Sequence, residues 1–385
     1  MNTYSRYPVR LMRGEGAHAW DDTGKEYLDF ISGIAVNTLG YAHPALVRAI
    51  CEQAQTMLHC SNLFHIPAQE KLAEKLAALA GLERVFFCNS GAEANEAAIK
   101  LARKYWYDQD SPRRTIITAT QSFHGRTLNT LTATGQDKVK TGFDPLPPGF
   151  VHVPLGDMNA LKQAVGDDTA GILLEPIQGE GGVNVLPDAY LRGVRKLCSD
   201  TGILMMLDEV QTGVGRTGEM FGFEHTGMRP DILTLAKGLG GGVPIGAMLA
   251  RESVAASFSP GTHGCTFGGN PLSCTAALTV LDVIEQEGLL ENARTQGGKL
   301  LFGLKALQRT HPVIREIRGQ GLLIGAECSC DVADTIARCR EAGLLLLPAG
   351  PRVLRFLPPL NVTSAEVDVA LTILGDCLPT GEESS

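Results

Sequence analysis

The chain has 385 residues, 44% of them hydrophobic and 20% charged, with a formal net charge of −8. That length exceeds what one hydrophobic core fills, so two domains are expected, and the composition excludes a disordered or fibrous chain. The negative charge argues against nucleic acid or an anionic membrane surface as a partner. Residues 1–16 lack the apolar core of a signal peptide and no apolar run reaches the length of a bilayer span, so a cytoplasmic protein is expected. The 10 cysteines are scattered and read as reduced thiols. Cys328 and Cys330 have no companion ligands at zinc spacing, and no metal is expected.

Residues 10–32 read as short extended pieces, with Trp20–Tyr27 as a hairpin turning on Asp22-Thr23-Gly24. Helical periodicity covers 44–58 and 68–79. From Arg84 onward, apolar strands (85–88, 115–119, 171–174, 203–207, 232–236) alternate with amphipathic helices (92–106, 189–200). Such alternation predicts crossover units and a mostly parallel sheet, an α/β architecture. A helix is expected over 272–287, after which the pattern changes to α+β. Strands follow at 322–327, 344–347 and 353–357, then a last helix opened by a capping box of Thr363 and Glu366. A large α/β domain is placed at residues 46–274, and a smaller α+β domain combines residues 1–45 with 275–385. The final Gly381–Ser385 should fray.

The most informative stretch is 202–248. Two apolar runs, Ile203–Leu207 and Ile232–Ala236, each end on one charge, Asp208 and Lys237, and each charge precedes a Gly-containing turn. In open α/β sheets, ligands collect at the carboxyl ends of the strands. An acid and an amine delivered to one crevice suit pyridoxal phosphate: the amine forms a Schiff base with the aldehyde, and the acid keeps the ring nitrogen protonated.

Other segments carry weaker signals. Ser90 and Glu93 make a capping box at the start of a helix, with Gly91 able to approach a ligand and the helix N-terminus suited to phosphate. Taken alone, this reads as a plain helix cap. Glu175 and Glu180 flank a Gly-rich strand end, and each alone reads as an exposed loop acid. Phe123-His124-Gly125-Arg126 offers an aromatic ring and a cation, for stacking and carboxylate binding, or a loop with a surface arginine. Arg355 sits within an apolar strand and needs a partner, structural or functional in equal measure. Thr266 can donate a hydroxyl to phosphate; Cys265 beside it reads as a bystander rather than a nucleophile.

Together the segments NSGAEANEAAIKLAR, FHGRT, EPIQGEGG, LDEVQTGVGRTG, LAKGLGGGVPIGA, TFGGNPL and LRFLPPL resemble the class III, ornithine-type aminotransferases that use pyridoxal 5'-phosphate. The resemblance runs over nearly the whole chain and implies the type I fold of those enzymes. It implies that Lys237 forms the Schiff base, Asp208 pairs with the ring nitrogen and Gln211 sits near the ring hydroxyl. Glu209 and Val210 fall in the same implied cofactor-binding run. Phe123 would stack on the ring, and Ser90, Gly91 and Ala92 would hold the phosphate. Thr266 would reach the phosphate of a neighbouring subunit, implying a homodimer with shared sites. Arg126 and Arg355 would bind substrate carboxylates. Glu180 would pair with Arg355 while an amine substrate is bound and release it for a dicarboxylate. Cys265 stands at the substrate pocket, where a serine is usual. Gly33, where ornithine-specific members tend to have tyrosine, leans toward an acylated substrate. The implied reaction moves the δ-amino group of N2-acetyl-L-ornithine to 2-oxoglutarate, in arginine biosynthesis. Free ornithine, 4-aminobutyrate and N-succinyl amino acids are the rival substrates. A non-catalytic phosphate-ligand binder is disfavoured by Lys237 and Asp208 occurring together, and a dehydrogenase by the missing dinucleotide fingerprint.

Overall fold

A computed structural model describes residues 1–379; the Gly381–Ser385 tail lies outside the described residues. The apolar runs of the middle of the chain form one sheet. Its seven strands are ordered Arg84–Cys88, Gly246–Ala250, Ile232–Leu235, Leu204–Asp208, Thr169–Leu174, Thr115–Ala119 and Phe150–Val153. Only Gly246–Ala250 runs against the others, antiparallel to both of its neighbours. The strand–helix alternation left that run unassigned, because it follows the Lys237 turn with no crossover helix between.

Both faces of the sheet are buried. Leu204 and Met206 pack with Leu101, Trp106 and Ile116 on one side; Met205 and Leu207 pack with Ile172, Val194 and Leu235 on the other. Alternate residues of a strand point to opposite faces, so a doubly covered strand reads as an unbroken apolar run. The helix Gly91–Tyr107 covers the first face and Asp188–Thr201 lies against Leu204–Asp208 on the second.

The expected hairpin pairs His18–Asp21 with Glu26–Asp29, and Leu11–Glu15 extends it. Leu344–Leu345 joins the same sheet, parallel to Glu26–Asp29, so the N-terminal segment and the C-terminal third share one sheet. A further antiparallel sheet contains Ile314–Gln320, Leu323–Cys328, Val353–Phe356 and Leu347–Pro348. The long helix Leu289–Thr310 packs on its first two strands and on Ser364–Cys377, whose Thr363–Glu366 capping box is formed. Helix Pro271–Gln286 packs on Pro44–Thr56, on Pro67–Ala80 and on the turn that begins at Lys237. Among the described residues no helix is long and apolar enough to cross a membrane.

One local feature escapes any propensity argument. Ser32, Gly33, Ile34 and Ala35 all have φ between +50 and +67°. A left-handed turn costs roughly 1–2 kcal/mol for each residue other than glycine. Asp29 holds it: its Oδ1 accepts from Ile31 N at 2.7 Å and Ser32 N at 3.0 Å, and its Oδ2 from Tyr41 Oη at 2.8 Å.

Candidate active site

Strand register delivers the acid and the amine to one place. Leu207 pairs with Leu233 and Asp208 with Thr234, so Lys237 emerges just past the same sheet edge. Lys237 has a left-handed φ of 42°. Strain of this kind persists only where the surroundings impose it. Thr38 Oγ1 donates to Gly238 O at 3.1 Å, and a Cβ at Gly238 would stand 2.5 Å from that same hydroxyl. The segment after the left-handed turn thus fixes the backbone that presents Lys237. Both Asp208 and Lys237 line a cavity of about 410 Å³, together with Gly91, Phe123, Arg126 and Glu180.

Asp208 is 4% exposed and fully supplied with donors. Asn95 Nδ2 donates to Oδ2 at 2.7 Å, His124 Nδ1 lies 2.8 Å from the same oxygen, and Val210 N donates to Oδ1 at 3.0 Å. Asn95 also donates to His124 O at 2.8 Å and accepts from Thr234 Oγ1 at 2.7 Å. These contacts fix the position of the Asp208 carboxyl from three elements. Burial pushes the Lys237 ammonium below its usual value, with Arg355 adding to the shift and Glu180 and Asp208 opposing it. A neutral amine is the form that attacks a carbonyl.

The helix Gly91–Tyr107 begins at the cavity wall. Ser90 caps it, its Oγ accepting from Glu93 N at 3.2 Å, while Glu93 reaches back to Asn89 N rather than to Ser90 N. The N–H groups of Gly91 and Ala92 are left at the positive end of the helix, a ready anion site. A Cβ on Gly91 would stand 2.7 Å from Val210 Cγ1, so only glycine lets the helix end seat against the turn after Asp208.

Arg355 does not itself line the cavity but lies behind Glu180, which does; it is 2% exposed and meets Glu180 through two nitrogens, Nη1 to Oε1 at 2.6 Å and Nη2 to Oε2 at 3.3 Å. Burial works against the charge on Glu180, but the Arg355 guanidinium outweighs it and holds the carboxyl below its usual range. Gln211 bridges the pair, donating to Glu180 Oε1 at 3.5 Å and accepting from Arg355 Nη1 at 3.4 Å. Arg126 is exposed at the cavity, its guanidinium 5.6 Å from the centre of the Phe123 ring, with no ion pair among the described residues. Arg216 is buried behind the site. Its Nη1 donates to Leu322 O and Pro358 O, tying the loop after Asp208 to the segments flanking the Arg355 strand.

Three implied site residues lie elsewhere in the single chain. Glu209 is fully buried away from the cavity, its carboxylate accepting from Gly222 N, Phe223 N and Thr212 Oγ1. Its side chain therefore anchors a loop and does not line the cavity. Thr266 is exposed outside the cavity, and Cys265 lines the same neighbouring hollow. Asn89 joins the two spaces, lining the cavity and donating to Cys265 Sγ at 3.1 Å.

Asn95, His124 and Glu175 were not singled out by the sequence for site roles. Glu175, which alone reads as a loop acid, is 7% exposed and lines the cavity; its Oε1 accepts from Phe123 N at 2.9 Å. The signal for it was present: a charge directly after a fully buried apolar strand, as at Asp208. The signal for Asn95 was a polar residue on the apolar face of its helix, between Ala94 and Ala98.

The class-III aminotransferase family profile matches residues 2–378. The acetylornithine aminotransferase of Caldanaerobacter subterraneus subsp. tengcongensis is 52% identical over 380 residues, covering 98% of this chain and 96% of that protein. Among solved structures, N-acetylornithine aminotransferase from Stenotrophomonas maltophilia K279a is 40% identical with a TM-score of 0.85, covering 98% of this chain and 97% of that one. The ornithine aminotransferase from Toxoplasma gondii superposes with a TM-score of 0.95 at 36% identity, covering 98% of this chain and 91% of that one. This chain belongs to the class-III aminotransferases.

Proposed function

We propose that this chain moves the δ-amino group of N2-acetyl-L-ornithine to 2-oxoglutarate with pyridoxal 5'-phosphate, giving N-acetyl-L-glutamate 5-semialdehyde and L-glutamate. The observation that carries the reading is a desolvated amine, Lys237, and a three-donor carboxylate, Asp208, beside a helix N-terminus in one cavity. That donor set fits the cofactor, with an anion site for its phosphate, an acid for its ring nitrogen and an amine for its aldehyde. The backbone superposes more closely on an ornithine aminotransferase (TM-score 0.95) than on an N-acetylornithine one (0.85), so the substrate rests on the higher sequence identity to acetylornithine-named relatives.

Bound pyridoxal phosphate supplies an electron sink for breaking the C–H bond at the amine-bearing carbon. The Gly91 and Ala92 N–H groups would bind its phosphate, and Phe123 would stack against its ring. Asp208 would hold a proton on the ring nitrogen, its own position fixed by Asn95 and His124. Lys237 Nζ takes the proton from the amine-bearing carbon of the substrate. Arg126 holds the α-carboxylate of acetylornithine. While that substrate is bound, Glu180 masks the charge of Arg355; for 2-oxoglutarate, Glu180 withdraws and Arg355 offers a two-nitrogen clamp to a carboxylate. In a homodimer, Thr266 of one subunit reaches the phosphate bound by the other, with Cys265 at the substrate's edge.

A half-reaction survey tests the reading. The holoenzyme is mixed with acetylornithine, ornithine, 4-aminobutyrate or N-succinylornithine, and the loss of its visible absorbance is timed. Acetylornithine should react fastest. Faster reaction with ornithine or 4-aminobutyrate would reassign the substrate, and no visible band at all would remove the cofactor.

A further inference from the structure

Glu175 has no part in the chemistry above, yet its carboxylate lies inside the cavity wall. Its place follows from the sheet. Leu174 pairs with Leu207 in parallel register, so Glu175 and Asp208 leave neighbouring strands side by side. The two acids grip the same dipeptide. Glu175 Oε1 accepts from the main-chain N of Phe123 at 2.9 Å, and Asp208 Oδ2 meets the ring of His124 at 2.8 Å. Asn95 closes the arrangement from the helix, donating to both His124 O and Asp208 Oδ2. The loop cannot slide. Gly125, with φ +138°, follows with no room for a Cβ, which would stand 2.5 Å from Thr130 Oγ1.

We propose that Glu175 is a positioning residue that locks the Phe123 main chain, so that the Phe123 ring lies flat across the bound cofactor. The inference rests on the reading of Phe123 as the stacking residue given above. What matters is an oxygen at the right reach, not a charge. Burial pushes the Glu175 carboxyl up to about 7, Asp208 adding to the shift and His124 opposing it. A carboxylic acid and an amide both offer a carbonyl oxygen to an N–H donor.

Two substitutions separate reach from charge. Glu175→Asp keeps the acid but withdraws it by one methylene from Phe123 N. Glu175→Gln keeps the reach and removes the charge. Each holoenzyme is diluted and cofactor release is followed by loss of visible absorbance, alone and in a Phe123→Ala background. Glu175→Asp should release the cofactor about tenfold faster, the equivalent of one buried hydrogen bond. Glu175→Gln should stay within about twofold of the wild type, and Glu175→Asp should add nothing once Phe123 is alanine, because the two act through one contact. A fast Glu175→Gln beside a slow Glu175→Asp would overturn the proposal in favour of charge. Multiplying effects of Glu175→Asp and Phe123→Ala would overturn it in favour of a general packing role. A wild type with no visible band would overturn the cofactor reading itself, and this inference with it, whereas a normal wild type with unaffected variants overturns this inference alone.

Discussion

Asn95→Ala should slow turnover without weakening substrate binding. Three of the four hydrogen-bonding positions of the Asn95 amide are used. Its two N–H groups go to Asp208 Oδ2 at 2.7 Å and His124 O at 2.8 Å, and its oxygen accepts from Thr234 Oγ1 at 2.7 Å. Alanine removes a hydrogen bond to a charged group, worth about 1.5–3 kcal/mol, and strands the Thr234 hydroxyl in a buried site. Asp208 keeps His124 and Val210, so the acid stays but is less firmly held. The carboxylate matters most as negative charge reaches the ring, so the loss belongs to the transition state. At about 1.4 kcal/mol per decade, kcat should fall roughly 10- to 100-fold with KM little changed. Steady-state kinetics with acetylornithine and a thermal melt make the measurement. On an Asp208→Ala background the Asn95 substitution should cost no more than about twofold, because its partner is gone. A lowered melting temperature with wild-type kcat would refute the reasoning and leave Asn95 a packing residue.

Lys237→Ala should lower turnover by about 100- to 10,000-fold, the range for loss of a positioned proton carrier. Borohydride reduction of the wild type followed by peptide mapping should mark Lys237, and a mark on any other lysine would reject the assignment. Arg355→Ala should impair the 2-oxoglutarate half-reaction most and Arg126→Ala the acetylornithine half-reaction most; equal losses in both halves, read by single turnovers, would end the division of labour proposed for them. Glu209 gives a pH test. Burial raises its carboxyl from 4.5 to about 7, against the pull of its three donors, so the folded state holds a proton that the unfolded chain releases. Its contribution to stability is therefore complete below about 4.5 and is lost as pH rises through about 7. Glu209→Gln should flatten that part of the melting-temperature profile, and an unchanged slope would assign it to other groups.

The parallel sheet was legible because burial on both faces leaves a plain mark, the unbroken runs at 203–207 and 232–236. Each run also ends on a charged residue that lines the cavity, Asp208 or Lys237, so fold and candidate site are read from the same letters. The antiparallel strand Gly246–Ala250 was not legible, since nothing in five small and apolar residues encodes direction. The left-handed turn at Ser32–Ala35 was hidden for a different reason. Only one of its four residues is glycine, and what imposes it is the Asp29 carboxylate, a contact that propensity does not describe. The 22-residue helix Leu289–Thr310 is masked in the sequence by two glycines at its middle, Gly297 on the buried face and Gly298 on the exposed one. A Cβ on Gly297 would lie 2.1 Å from Gly321 O, so there the glycine serves close packing against the C-terminal sheet rather than a break in the helix.

The acids at the sheet edge show where reading letters stops. Glu175, Asp208 and Glu209 all follow buried apolar runs and all are buried themselves. In the sequence only the pairing with Lys237 raises Asp208 above Glu175, and the family pattern groups Asp208 with Glu209. Their donors separate them. Asp208 and Glu209 are adjacent, so they leave the strand on opposite sides. One meets Asn95, His124 and its own turn inside the cavity; the other meets the main chain of Gly222 and Phe223 outside it. Glu175 takes a single main-chain donor, Phe123, and its carboxyl is pushed up to about 7 by burial. Two of the three donors to Asp208 are side chains from other elements, whereas two of the three to Glu209, and the single donor to Glu175, are main-chain N–H groups of loops. Asp208 is thus held toward the cavity by Asn95 and His124, whereas Glu175 and Glu209 tie down the loops at Phe123 and at Phe223.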